Sequence, residues 1–168
     1  MSLSMYQASV PVFLRGLANL SAILDKAAVY AEARKIDPAV LINARLAPDM
    51  FPLSRQVQIV SDVVKGGMAR LAGVAIPAFA DTETTFSELK DRIAKTRDFI
   101  SGLKAAQIDG TEDKNIVHPM HSGDLCLPGQ AYLLSFVLPN FFFHVTTAYG
   151  ILRHNGLDVG KKDYLGGF

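Results

Sequence analysis

Four stretches of this chain bring core-type side chains back in steps of three and four residues, and that spacing constrains the fold more than anything else in it. Phe13, Leu17, Leu20, Leu24, Ala27 and Ala31 make the first seam, Leu53, Val57, Val60, Val64, Met68 and Leu71 the second, and Phe86, Leu89, Ile93, Thr96, Ile100 and Leu103 the third. In the fourth, a rotation of about 100° per residue places Phe141, Val145, Ala148 and Leu152 in one strip. Asn140, His144, Ile151 and Asn155 run along its edge, while Thr146 and Arg153 lie away from it. A helix with one apolar stripe buries that stripe against other helices. Long amphipathic helices joined by short early connections and one long late one predict an all-α four-helix bundle. At 168 residues and 49% hydrophobic side chains, the chain can bury a sizeable core as one domain spanning 1–168.

Local signals set the helix limits. Ser4 with Gln7 three residues on suits a capping box, and helix one runs to about Lys35. Pro11 either kinks this helix or moves its start to Ser9 as N-cap, because proline fits only a first turn. Ile36-Asp37-Pro38 breaks the pattern, and Ala39 to Asn43 has room for one short turn. Asp49 reads as the N-cap of helix two, with Pro52 inside the first turn. Opposite the apolar face of that helix lie Gln58, Asp62 and Lys65, whereas Gln56 falls between Val60 and Val63 on the apolar side. Gly66-Gly67 weakens a helix interior by roughly 1 kcal/mol per glycine relative to alanine, which predicts close helix packing there.

After Gly73 comes an apolar, non-periodic loop, Val74 to Phe79, and then a second capping box at Thr85 and Glu88 that opens helix three, Phe86 to about Ala106. Gln107 to Pro128 is rich in turn formers and predicts a long loop with a short hairpin of Asn115–Val117 and Leu125–Leu127. Loops of this length in compact domains are often functional. From Gly129 the chain is helical again, and Pro139 predicts a kink or short break beside Asn140. Asn155 and Gly156 end the last helix, and the glycine-rich tail Leu157 to Phe168 is expected to pack across an end of the bundle or on a partner.

Charge and cysteine content exclude several classes of function. The 17 basic and 16 acidic residues, net +1, contain no basic run interleaved with aromatics, so neither nucleic acid nor an anionic membrane surface is an expected partner. Cys126 stands alone, which rules out an intrachain disulfide and suits a reducing compartment. Met1 to Met5 lacks the basic and apolar regions of a signal peptide. Each uninterrupted apolar run, including Ala131 to Leu138 and Phe141 to Val145, is shorter than the roughly 20 residues needed to span a bilayer. The expectation is a cytoplasmic protein.

The histidines decide where chemistry could sit. His118-Pro119-Met120-His121 has a ligand-like gap but no third ligand nearby in sequence, so surface loop histidines are expected. His154 belongs to the last turn of a helix, where a cation is favoured. His144 differs: beside the core and one turn after Asn140, its ring nitrogens need partners, either as a hydrogen-bonded core residue or as part of a pocket. Gln56 has the same need, and a bundle could bring the two helices together. Arg45 and Asp49 either reach a ligand at the bundle mouth or form a helix cap with a neighbouring ion pair. No Ser-His-Asp or Cys-His arrangement is discernible, and Gly156 to Lys161 is one residue short of a phosphate loop and follows a helix.

Arg45-Leu46-Ala47-Pro48-Asp49-Met50-Phe51-Pro52-Leu53 with Gln56 and Gln58, Glu83-Thr84-Thr85-Phe86, Pro139-Asn140-Phe141 with His144, and Leu152-Arg153-His154-Asn155-Gly156 together resemble an uncharacterised, domain-of-unknown-function family of the DinB/YfiT-like superfamily of four-helix bundles. The resemblance covers almost the whole chain. It implies a pseudo-symmetric bundle, frequent homodimers and, in many members, a divalent metal held by one histidine of helix two and an H-x-x-x-H pair on helix four. Characterised relatives include transferases and isomerases that activate a low-molecular-weight thiol on that metal. His144 matches the first histidine of the pair and is the best single metal candidate, but Ala148 stands four residues later and Gln56 stands where helix two would supply a histidine. One imidazole with an amide is a poor zinc site, so no zinc, nickel or iron is expected in protein purified without added metal.

Three readings follow. The first is a small-ligand-binding bundle, homodimeric through its phenylalanine-rich last helix, with a pocket of His144, Asn140, Thr147 and Gln56 and with Arg45 and Asp49 at its mouth. The second is a metal- and thiol-dependent transferase or isomerase. The third is a structural or interaction protein without a small-molecule site.

Overall fold

Pro11 and the Ser4–Gln7 pair each determine one start near the amino terminus. In the computed structural model, which describes residues 3–167, Ser4 N–H donates to Gln7 Oε1 and Gln7 N–H to Ser4 Oγ, both at 3.2 Å. That box closes a turn of its own, and the long helix α1 (Val10–Arg34) begins after it with Pro11 in its first turn. Ser9 holds the N-cap position but does not cap with its side chain. Its hydroxyl donates backward to Met5 O at 2.6 Å, tying the turn to the helix.

The short turn α2 (Pro38–Ile42) is capped by Asp37, whose Oδ1 accepts from Ala39 N at 2.9 Å. Helix α3 (Leu53–Ala72) starts differently from the sequence expectation, because Pro52 is its N-cap residue and Asp49 lies exposed in the preceding turn. The connection is closed by backbone instead: Leu53 N donates to Ala44 O at 2.9 Å. Helix α4 (Phe86–Ser101) has the predicted capping box of Thr85 and Glu88. It stops at Gly102, short of Ala106, and the chain makes a separate turn, α5 (Ala105–Ile108), with Leu103 still in the core.

The hairpin forms where the turn-rich segment predicted it, each strand one residue longer: β1 (Asn115–His118) pairs antiparallel with β2 (Leu125–Pro128), Val117 opposite Cys126. The last helix then runs through α6 (Gly129–Ala131), a π-helical segment (Tyr132–Val137) and α7 (Leu138–His154) without a break. Proline lacks the N–H for an i to i−4 bond and crowds the carbonyl four residues back. The break that was one expectation at Pro139 does not occur, and a widened π turn lies just before it. Joined in this way, Gly129–His154 makes one 26-residue helix that by length and composition alone could cross a membrane, although the separate apolar runs are too short. In the bundle its Phe141, Ala148, Ile151 and Leu152 are completely buried.

Helix α1 packs on α4 and α7, and α3 packs on the same two, so α3 presents one side to α4 and another to α7. All the seam residues are buried, from Phe13 on α1 to Leu152 on α7. Gly67 lets α3 approach the π turn: a Cβ there would lie 2.7 Å from Val137 Cγ1. Gln58 and Lys65, expected on a solvent face, are buried, because the segment between Gly73 and Thr85 folds back over α3 and α4. The tail packs along α1, with α8 (Lys161–Leu165) held by Asn19 Nδ2 on Tyr164 O at 3.0 Å and by Lys26–Asp163 at 2.5 Å. Met1, Ser2 and Phe168, parts of the terminal segments read above, lie outside the described residues.

Candidate functional site

Gln56, in the first turn of α3, is only 2% exposed, so both ends of its amide need partners inside the protein. Its Nε2 donates to Phe51 O at 2.9 Å, just before the helix. That bond orients the amide and leaves Oε1 as the acceptor. His144 Nδ1 of α7 lies 2.7 Å from Oε1, so Nδ1 carries a proton. In the neutral ring the lone pair is then on Nε2, which has no hydrogen-bond partner among the described residues. Burial first, and then the positive charge of Arg55, hold the His144 pKa below the ordinary imidazole value, so the ring is neutral at neutral pH.

Exposed aromatic side chains lie on both segments that carry this pair. The Phe143 ring stands edge-on to the imidazole, centroids 5.1 Å apart at 89°, and Phe143 and Phe51 are each 57% exposed. Arg55 holds its guanidinium 6.0 Å from the Phe51 ring centroid while pairing with Asp81 at 2.5 Å. A half-buried, neutral imidazole with a fixed tautomer and one open nitrogen can accept a hydrogen bond, take up a proton or act as a single ligand.

Of the other residues singled out in the sequence, Asn140 lies one turn before His144, partly exposed and without a side-chain hydrogen bond among the described residues. Thr147 is buried, but its hydroxyl is used on Phe143 O at 2.8 Å, which makes it part of the wall. Arg45 and Asp49 stay on the exposed side of the α2–α3 connection, Arg45 bonding Pro48 O at 3.3 Å. The structure therefore joins Gln56 to His144 and puts neither Arg45 nor Asp49 in a bond with them. A divalent metal does not fit here: Ala148 contributes a methyl group, the Gln56 oxygen is already bound to His144, and among the described residues no three His, Cys, Asp or Glu side chains group together as ligands.

The model of a domain of unknown function, DUF1993, matches residues 5–165 of the chain. The protein belongs to the DUF1993 family. Its fold is similar to a crystal structure described as a DinB family member from Shewanella denitrificans, with 46% identity, a TM-score of 0.91 and coverage of 97% of this chain and 92% of that one. No curated protein matches the chain significantly.

Two further polar clusters of this DUF1993 bundle were not anticipated. Arg92 of α4 is 2% exposed and binds Asp62 at 2.7 Å, Asp81 and Glu83 at 2.9 Å each, and Ala80 O at 3.1 Å, leaving only its Nε unpartnered. A signal existed: position 92 is three after Leu89 and four before Thr96, inside the apolar seam. A surface cleft of about 290 Å³ opens beside this cluster, where carboxylates hold the terminal nitrogens of Arg92 and Thr84 and Thr85 hold Glu88. His118 is the second case. Expected on a loop surface, it is half-buried in β1, its Nδ1 2.8 Å from the buried Tyr132 hydroxyl, and its pKa is lowered by burial and then by Arg70. Strand alternation explains this, because His118 shares a face with buried Ile116, whereas His121 remains exposed.

Proposed function

We propose that this DUF1993 protein binds a small molecule at Nε2 of His144, on the side of the bundle where α3 meets α7. The observation that carries this reading is the fixed Phe51–Gln56–His144 chain, which gives a half-buried imidazole one bonded and one open nitrogen. A purely structural histidine in a satisfied core would have both nitrogens occupied. Asn140 adds a second polar group one turn away. No observation favours the metal- and thiol-dependent reaction of superfamily relatives, because Gln56 and Ala148 replace the ligands it needs.

A fragment screen by thermal shift on the wild type and His144→Gln tests the reading. Because Nε2 is open, His144→Gln is expected to cost only about 1 kcal/mol, at the low end of the range for a disturbed buried hydrogen bond, and to abolish the shifts of the hits. Hits that persist in His144→Gln, together with a stability loss near 3 kcal/mol, would leave His144 a core residue and favour the scaffold reading.

The same reading includes a homodimer through the last long helix. Leu134 and Phe142 are 48% and 39% exposed, and exposed apolar side chains grouped on a surface mark contact regions. Light scattering at micromolar concentration should exceed the 18.2 kDa of one chain; a purely monomeric species rejects the dimer. A cytoplasmic location agrees with the lone, exposed Cys126 thiol.

A further inference from the structure

Building on the His144 site proposed above, we propose that its ligand is a neutral aryl molecule with a polarised O–H donor, of the phenol type, and that Gln56 is the positioning residue that selects it. The Gln56 amide cannot turn over without placing its NH2 against the Nδ1 proton and its oxygen against Phe51 O, at 2.7 Å and 2.9 Å. The imidazole is therefore held as the Nδ1–H tautomer, and what faces the ligand is a lone pair.

A lone pair in this position discriminates by chemistry. A carboxylate or phosphate would need the ring protonated, which burial and Arg55 both oppose. An ammonium could donate to Nε2, but it would bring a second positive charge toward Arg55. A neutral donor meets neither obstacle, and the more acidic its hydrogen, the better it suits an imidazole acceptor with a positive charge nearby. The ligand body is set by Phe143, perpendicular to the imidazole at 5.1 Å and 57% exposed. Edge-to-face contact with such rings favours an aromatic partner. No covalent step is involved; the hydrogen stays on the ligand oxygen and is shared with Nε2.

The test is a titration of protein carrying 15N-labelled histidine at pH 7.5, followed through the ring nitrogens, with 4-methylphenol, 4-methylanisole and 4-methylbenzoate as probes. The expected result is a His144 ring protonated at Nδ1 in the free protein, and a saturable shift of Nε2 with 4-methylphenol alone. Gln56→Leu, checked for native fold by its amide spectrum, should release the tautomer into a mixture and weaken 4-methylphenol by about five- to tenfold, the effect of one hydrogen bond. A merely structural Gln56 would leave the tautomer unchanged. Free protein with the proton on Nε2, or equal binding of the anisole or benzoate, overturns the ligand class. If fragments of other chemistry still lose their thermal shift in His144→Gln, the His144 site stands and only the class falls; if none does, both fall.

Discussion

The two sides of α3 handle buried polarity in opposite ways. Toward α4, Arg92 is surrounded by Asp62, Asp81, Glu83 and Ala80 O, the Phe79 ring lies 5.7 Å from its guanidinium carbon, and Ser61 and Thr96 share a hydrogen bond of 2.6 Å below it. Toward α7 there is, among the described residues, one side-chain bridge, Gln56 to His144, and beyond it an open nitrogen. The first side meets the terminal nitrogens of one guanidinium with three carboxylates and a carbonyl, leaving only Nε without a partner, and it holds the segment after Gly73 onto the bundle. The second has one acceptor too many and nothing to hold. A buried charge paired from several elements fastens a structure, whereas an acceptor left without a partner at a partly open position can take one from a ligand.

If that contrast is right, the largest effect comes from Arg92→Met. Breaking a buried ion pair from one side costs about 3 to 5 kcal/mol. Side chains of Asp62 and Asp81 are 36% and 41% exposed and can turn to water, so the lower figure, about 3 kcal/mol, is expected in denaturant melts. A loss under 1 kcal/mol would make the cluster ornamental and remove the contrast.

Next in size is Gln56→Leu. It strips Phe51 O and His144 Nδ1 of their partners, and a buried group left unsatisfied costs about 1 to 3 kcal/mol; His144 is only half-buried, so about 1 kcal/mol is expected. A loss equal to that of Arg92→Met would mean that the α7 side is as structural as the α4 side.

The smallest effect is in pH dependence, and it brings in the hairpin. His144 and His118 both have pKa values lowered by burial and then by Arg55 and Arg70 respectively. Below about pH 6.5, the ordinary imidazole value, the unfolded chain takes up protons that the folded chain refuses, so stability falls with falling pH. His144→Gln and His118→Gln should each flatten part of that slope between pH 7.5 and 5 in chemical melts. A slope unchanged in both variants would show that neither ring is neutral by virtue of the fold. His118 has a hydroxyl partner, Tyr132, which can donate or accept, so unlike His144 its tautomer is not imposed by its neighbour.

What the sequence determined by itself is whatever depends on neighbours along the chain. Helical periodicity located the seams of all four long helices, and Thr85 with Glu88 located the start of α4, because a capping box is completed within four residues. The turn-rich segment located the hairpin for a similar reason. His144 and Gln56 were legible as buried polar residues from their positions on apolar faces, but their bond spans 88 residues, and no local rule gives its atoms or its tautomer. Asp49 was misread because a distant carbonyl, Ala44 O, closes the start of α3 in its place. Pro139 signals a kink or a short break because proline's cost is local, whereas the unbroken helix with a π turn just before the proline is seen only in the folded chain. Arg92 was left out altogether: an arginine in a seam is interpretable only when Asp62, Asp81 and Glu83 arrive from three different places in the chain, and that arrival is decided by tertiary structure alone.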